Sequence, residues 1–151
     1  MRFATSTVVE DELDVVWSFH DRLDGVVALT PGWLDAEVRV LEGRNTPLAA
    51  GTRFELAVRP AGLTLPIAWR GRIVSVRRTP RWRSFVDVGE ATPFRSWRHR
   101  HTLRAVEGGT EVLDEVRVGV PPVAVPFVRA GLAVAFADRR RRLRDRFGSP
   151  D

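Results

Sequence analysis

The chain has 151 residues, 44% hydrophobic and 28% charged, which fits one ordinary globular domain over residues 1–151 and excludes a disordered or fibrous protein. It contains no cysteine, so disulfides, thiolate metal sites and a cysteine nucleophile are excluded, and any catalysis falls to histidine, carboxylates, hydroxyls or arginine. The formal charge is +5, but all 24 basic residues are arginines scattered against 19 acidic ones, so no nucleic-acid partner is expected.

In chain order, Phe3 to Val9 alternates and is rich in threonine and valine, which predicts a first strand. The acidic residues after it arrive before a signal-peptide core could form, so a cytoplasmic location is expected. Asp11 offers an N-cap, with Asp14 in the first turn, and Leu13, Val16, Trp17, His20 and Leu23 recur at helical spacing. These predict a helix to about Arg22, with His20 as a partly buried structural histidine. DGVVALTPGW reads as a short helix or turn ended by Pro31 and Gly32.

From Leu34 to Val118, short apolar runs alternate with polar residues between turn signals. They predict six antiparallel strands: Leu34 to Leu41, Thr52 to Arg59, Leu63 to Arg77, Arg83 to Val88, Ser96 to Val106 and Thr110 to Val118. After GVPPVAVP, residues Val128, Leu132, Phe136, Leu143 and Phe147 mark one face of a terminal helix of about five turns or more, ended by Gly148. Pro121, Pro122, Pro126 and Arg129 keep Val118 to Phe136 from reading as a membrane span, so no stable membrane insertion is expected. The run DRRRRLRDRF closes the helix where cations suit its dipole, and reads as a solvated face.

This order makes an α+β protein in which helices cover one face of an antiparallel sheet. Within PFRSWRHRHTL, alternation puts Trp97, His99, His101 and Leu103 on one face and Arg98, Arg100, Thr102 and Arg104 on the other. Phe85 and Asp87 share a face of the preceding strand. A hairpin through GEATPF then brings the odd positions together, and Asp114, Val116 and Val118 join from the last strand. The result is two histidines and two carboxyls in an aromatic wall, facing inward while the arginines face water.

Such a cluster suits general acid/base chemistry by His99, His101 and Asp87, because a carboxylate-oriented imidazole shuttles protons near neutral pH. It equally suits a buried pair that satisfies its own hydrogen bonds and pins the hairpin. His-x-His on a strand also points both imidazoles one way, but two ligands do not make a metal site, and a third would have to come from Asp87, Asp114 or His20. No metal and no cofactor is assigned. Trp33, Phe54, Trp69, Phe85, Trp97, Phe127 and Phe136 read as the wall of an apolar cavity or as packed core, with Asp114 beside them as a polar contact for a ligand. Gly-rich phosphate loops, Gly-x-Ser-x-Gly and His-Glu-x-x-His are all missing from the sequence.

The element order, together with Phe85, Asp87, Pro93, Phe94, Trp97, His99, His101, Asp114 and Pro121 in FVDVGEATPFRSWRHRHTL and TEVLDEVRVGVPP, resembles the START-like superfamily. This is the polyketide cyclase/dehydrase and lipid-transport, or SRPBCC, group. Thr92 departs from the glycine expected before Pro-Phe. The resemblance implies a helix-grip fold, in which a curved antiparallel sheet wraps a long C-terminal helix with an apolar cavity between. It also implies a hydrophobic small-molecule ligand such as a lipid, quinone or polyketide. Two alternatives stand beside this reading: an aromatase/cyclase-type enzyme using His99 or His101, and an interaction module using the arginine-rich helix face. Assembly as a homodimer is left open.

Overall fold

The computed structural model describes residues 1–59, 67–91 and 94–150. Strand β1 (Arg2–Val9) leads into helices α1 (Leu13–His20) and α2 (Leu23–Ala28) and a 3-10 turn at Gly32–Leu34. Six strands follow: β2 (Glu37–Glu42), β3 (Arg53–Val58), β4 (Ile67–Arg78), β5 (Trp82–Ala91), β6 (Phe94–Val106) and β7 (Gly109–Gly119). A 3-10 turn at Pro122–Ala124 then feeds α3 (Val125–Phe147).

The seven strands form one antiparallel sheet in the order β1-β7-β6-β5-β4-β3-β2. Its register shifts between Val40 and Glu42, Ile73 and Ser75, and Gly89 and Ala91; such irregularities bend strands, and the sheet curves around α3. This is the START-like helix-grip architecture, as the resemblance implied. The segment 63–66 of the expected third strand and the Thr92-Pro93 step lie outside the described residues.

Several boundaries differ from the sequence reading for local reasons. Asp11 does not cap α1: its N–H donates to Phe147 O at 3.1 Å and its carbonyl accepts from Thr110 Oγ1 at 2.8 Å, leaving Glu12 at the cap position. Helix α1 stops at His20 rather than Arg22, because the Asp21 carboxylate turns away to accept from the Leu48 N–H at 3.1 Å and from Arg78 at 2.6 Å. Strand β2 begins at Glu37 instead of Leu34, since Leu34 belongs to the 3-10 turn and Asp35 follows it with a left-handed φ of 42°.

Burial in β7 alternates along the strand, with Val112, Asp114, Val116 and Val118 inward. The outward positions form rows across the sheet. Arg2 lies opposite Arg117, Arg117 opposite Arg98, and Val88 then separates this trio from Arg72 and Arg53. In neighbouring rows arginines meet acids, Arg100 with Glu115 at 3.9 Å and Arg104 with Glu111 at 2.7 Å. Among the residues whose side chains are described, no carboxylate pairs with the Arg2, Arg98 or Arg117 guanidinium as Glu115 and Glu111 do with Arg100 and Arg104. Along α3 the expected apolar face is buried at Leu132, Phe136, Leu143 and Phe147, with Val128 packed beside it. Gly148 ends the helix at φ 82°, its N–H donating to Arg144 O at 2.9 Å.

His20 is fully buried, where partial burial was expected. Its Nδ1–H donates to Val16 O at 2.8 Å, its ring stacks on Phe147, and its Nε2 has no partner among the described residues. Burial, with the Arg139 charge adding to it, pushes this imidazole down to about 3. The unfolded chain therefore takes up a proton below about pH 6.5 that the folded protein refuses until about pH 3, so stability falls with pH through that window. His20→Leu should remove up to about 3 kcal/mol of the loss between pH 6.5 and 4. Urea unfolding of both proteins across this range checks it; parallel curves would refute the assignment.

Candidate functional site

The register of β5, β6 and β7 builds the polar cluster the alternation predicted. His99 lies opposite Asp87 on one side and Val116 on the other, and His101 opposite Phe85 and Asp114. All four polar side chains are buried. His99 Nε2–H donates to Asp114 Oδ1 at 2.9 Å, His101 Nδ1 lies 3.1 Å from the same oxygen, and His101 Nε2–H donates to Asp87 Oδ2 at 3.2 Å. The His101 ring stacks on Phe85 at 4.1 Å, and the two imidazole centroids are 3.7 Å apart.

A fifth member comes from α3. Arg139, only 6% exposed, donates from Nε to Asp114 Oδ2 at 2.9 Å, and its Nη2 lies 3.4 Å from His101 Nδ1. The sequence reading placed this arginine in a solvated run, and the structure corrects that. Arg139 stands three residues after Phe136 and four before Leu143, so helical spacing fixes it on the apolar face while its neighbours turn outward. Arg141 and Arg142 do face out, paired with Asp138 at 2.7 Å each.

The charges are arranged unequally. Burial alone would raise the Asp114 carboxyl, but Arg139 and the two histidine bonds outweigh it and hold Asp114 well below the usual carboxylate range. Burial also works against charging His101, yet its bonds to Asp114 and Asp87 prevail and raise it. His99 goes the other way: burial and the neighbouring His101 charge lower it, so it is the neutral imidazole of the pair. With its Nε2–H given to a carboxylate, neutral His99 keeps its lone pair on Nδ1.

The cluster lies at the wall of a cavity of about 420 Å³ bounded by the sheet, α2 with the turn after it, and α3. Asp87, His99, His101 and Arg139 line it amid hydrocarbon and aromatic surface. Of the residues expected as ligand contacts, Phe54, Trp69, Phe85, Trp97 and Phe136 line the cavity. Trp33 and Phe127 do not, being 53% and 75% exposed, and Asp114 sits behind the histidines. The opposite wall comes from Leu23, which the sequence reading counted with the first helix, from Val26, Leu29 and Pro31, which it treated as a short helix or turn, and from Leu132 and Ala135 of α3.

Two glycines keep the floor open. Gly71 and Gly89 are paired across β4 and β5, and the Phe54 and Trp69 rings lie over them. A Cβ on Gly71 would come 2.4 Å from Phe54 Cζ, and one on Gly89 would come 2.2 Å from Trp69 Nε1.

Fold and site together define a protein of START-like helix-grip fold with a buried His/Asp/Arg cluster beside an apolar cavity. The chain belongs to the family described as "Domain of unknown function (DUF8410)", which matches residues 7–147. Among solved structures it is similar to a START superfamily protein from Mycobacterium smegmatis, at 14% identity over 95% of this chain and 97% of that one, with a TM-score of 0.68. It is also similar to protein CV1439 from Chromobacterium violaceum, at 15% identity over 100% and 99% of the two chains and a TM-score of 0.66. A third is the di-domain ARO/CYC StfQ from the steffimycin biosynthetic pathway, at 13% identity over 97% of this chain and 50% of that one, with a TM-score of 0.71. No curated protein matches.

Removing one partner from a buried ion pair leaves the other uncompensated. Asp114→Ala should therefore cost about 3 kcal/mol or more in urea unfolding, and Asp114→Leu combined with Arg139→Met should recover much of it. Additive losses in the double variant would show that the two side chains do not share one interaction. Gly71→Ala should lose about 1–3 kcal/mol by driving the Phe54 ring off the floor, a shift readable in aromatic NMR resonances. An unshifted spectrum would contradict the contact.

Proposed function

We propose that this chain is a single-domain binder of a hydrophobic small molecule, of lipid, quinone or polyketide-like character, held in the cavity between the sheet and α3. The observation that carries the reading is the contrast within the cavity wall: extended apolar surface with its polar groups gathered at Asp87, His99, His101 and Arg139. Pockets of this kind bind by burying hydrocarbon and orient the ligand through sparse polar contacts. A ligand hydroxyl would donate to His99 Nδ1 or to Asp87, and a carbonyl would accept from Arg139. The similar proteins described as START and ARO/CYC support a ligand-binding role for the fold. An interaction module would call for a filled core, which the cavity argues against.

A second reading, an aromatase/cyclase-type enzyme, is favoured by the His99–Asp114 bond. It leaves a neutral imidazole with a bare nitrogen, the arrangement a general base needs.

Native mass spectrometry of the purified protein, beside its denatured mass, tests the main reading. The expected outcome is a co-purified organic molecule that Ala135→Trp, which fills the cavity from α3, expels. A protein that is empty and whose tryptophan fluorescence ignores lipid, quinone and polyketide probes would sink it. If the bound molecule is chemically altered by wild type and bound unaltered by His99→Ala, the enzyme reading takes precedence.

A further inference from the structure

We propose that Asp87, His99 and His101 form a site for a first-row divalent transition metal at the cavity wall. One donor atom from each residue lies within 4.8 Å of the other two, and all three side chains are buried. Two imidazole nitrogens and one carboxylate oxygen match zinc, cobalt or ferrous iron, whereas magnesium and calcium call for oxygen donors throughout.

The surroundings of the trio point the same way. Histidines that hold metals direct their second ring nitrogen to an outer carboxylate or carbonyl, which fixes tautomer and ring orientation. Asp114 supplies this for both rings, 2.9 Å from His99 Nε2 and 3.1 Å from His101 Nδ1, and is itself anchored by Arg139 at 2.9 Å. The nitrogens left for an ion are His101 Nε2, already 3.2 Å from Asp87 Oδ2, and His99 Nδ1. An ion entering between them replaces the His101–Asp87 hydrogen bond and sends that proton to solvent. Bonds of about 2.0–2.2 Å place tetrahedral donors about 3.4 Å apart, so donors now within 4.8 Å of one another close on an ion by side-chain rotation. Charge favours the ion as well, because Asp114 is matched by Arg139 and the Asp87 carboxylate is the trio's own anion. Three protein ligands leave a fourth position, which opens on the cavity.

The site can be tested cleanly. The chain has no cysteine and three histidines, and the third, His20, is sealed in the core with Nδ1 bound to Val16 O. No other pair of imidazole donors is available. The inference goes beyond ligand binding and does not depend on it, since the ion is measured with no organic molecule present.

The experiment is titration of tag-free, chelator-washed full chain with Co²⁺, read by visible absorption and by metal content after gel filtration, then competed with Zn²⁺. The expected result is one cobalt per chain with a low-coordinate d–d band that zinc abolishes. The band should be lost in Asp87→Ala and His99→Ala and kept in His20→Leu. Asp114→Asn, a change in a positioning residue, should weaken cobalt binding about 10- to 100-fold in a chain whose circular dichroism is unchanged. Should the alanine variants fail to fold, Asp87→Asn, which retains an acceptor for His101, must still lower the affinity. A folded wild-type protein that retains no cobalt overturns the proposal, as does a band equally strong in Asp87→Asn and His99→Ala. An intact band in a protein that binds no apolar probe would remove the ligand reading and leave this one standing.

Discussion

One carboxylate holds the polar interior together. Asp114 sits on β7, bonds both histidines of β6 across the strand pair, and receives Arg139 from α3. It therefore joins the sheet to the helix that the sheet wraps, at the depth where the surroundings are otherwise apolar. Desolvating a carboxylate there is costly, and three nitrogen partners offset that cost only while all of them are in place. The differing histidine states follow from it. Asp114 and Asp87 share His101, which takes the proton, and the neighbouring His99 is left neutral.

The hollow beside this cluster is as much a product of the backbone as of side chains. Helix α2 and the turn after it stand over the sheet where the chain carries valines, leucines and Pro31, while α3 covers the other side through Leu132, Ala135 and Phe136. Between them the floor is lowered by Gly71 and Gly89, against which the Phe54 and Trp69 rings pack closely. Without Cβ atoms at those two positions, the rings approach the backbone closely and leave space above them. Aromatic packing continues from Trp69 to Trp97 at 4.6 Å and on to His99 at 5.9 Å, so the polar cluster is one end of a ring-lined wall.

Much of this was legible because a strand repeats every two residues. Alternation alone put His99 and His101 inward, opposed Asp87 and Asp114 to them, and sent Arg98 and Arg100 to water, and the register agrees at each position. What the sequence hid are features that need a third dimension. Arg139 is one arginine in a run of four, distinguished only by its phase on the helix. Trp33 and Phe127 are as aromatic as Trp69, and residue type does not tell a cavity wall from a surface; their exposure depends on where α3 and the 3-10 turn come to rest. The contribution of α2 was missed because a six-residue helix with a central glycine carries little periodic signal.

The row of arginines on the outer face has a meaning for assembly of the sheet. Arg2, Arg117 and Arg98 stand side by side on three strands, an arrangement of like charges that neither stabilises the sheet nor touches the cavity. If β6 slid by one residue against its neighbours, its faces would exchange: guanidiniums would enter the apolar interior and both histidines would leave it. Among the described residues the buried carboxylates are Asp87 and Asp114, and both are already engaged. A one-residue slip is thus disfavoured by residues that face water in the native register. The positive outer face acts as a proofreading device for the alignment that brings the histidines and carboxylates together.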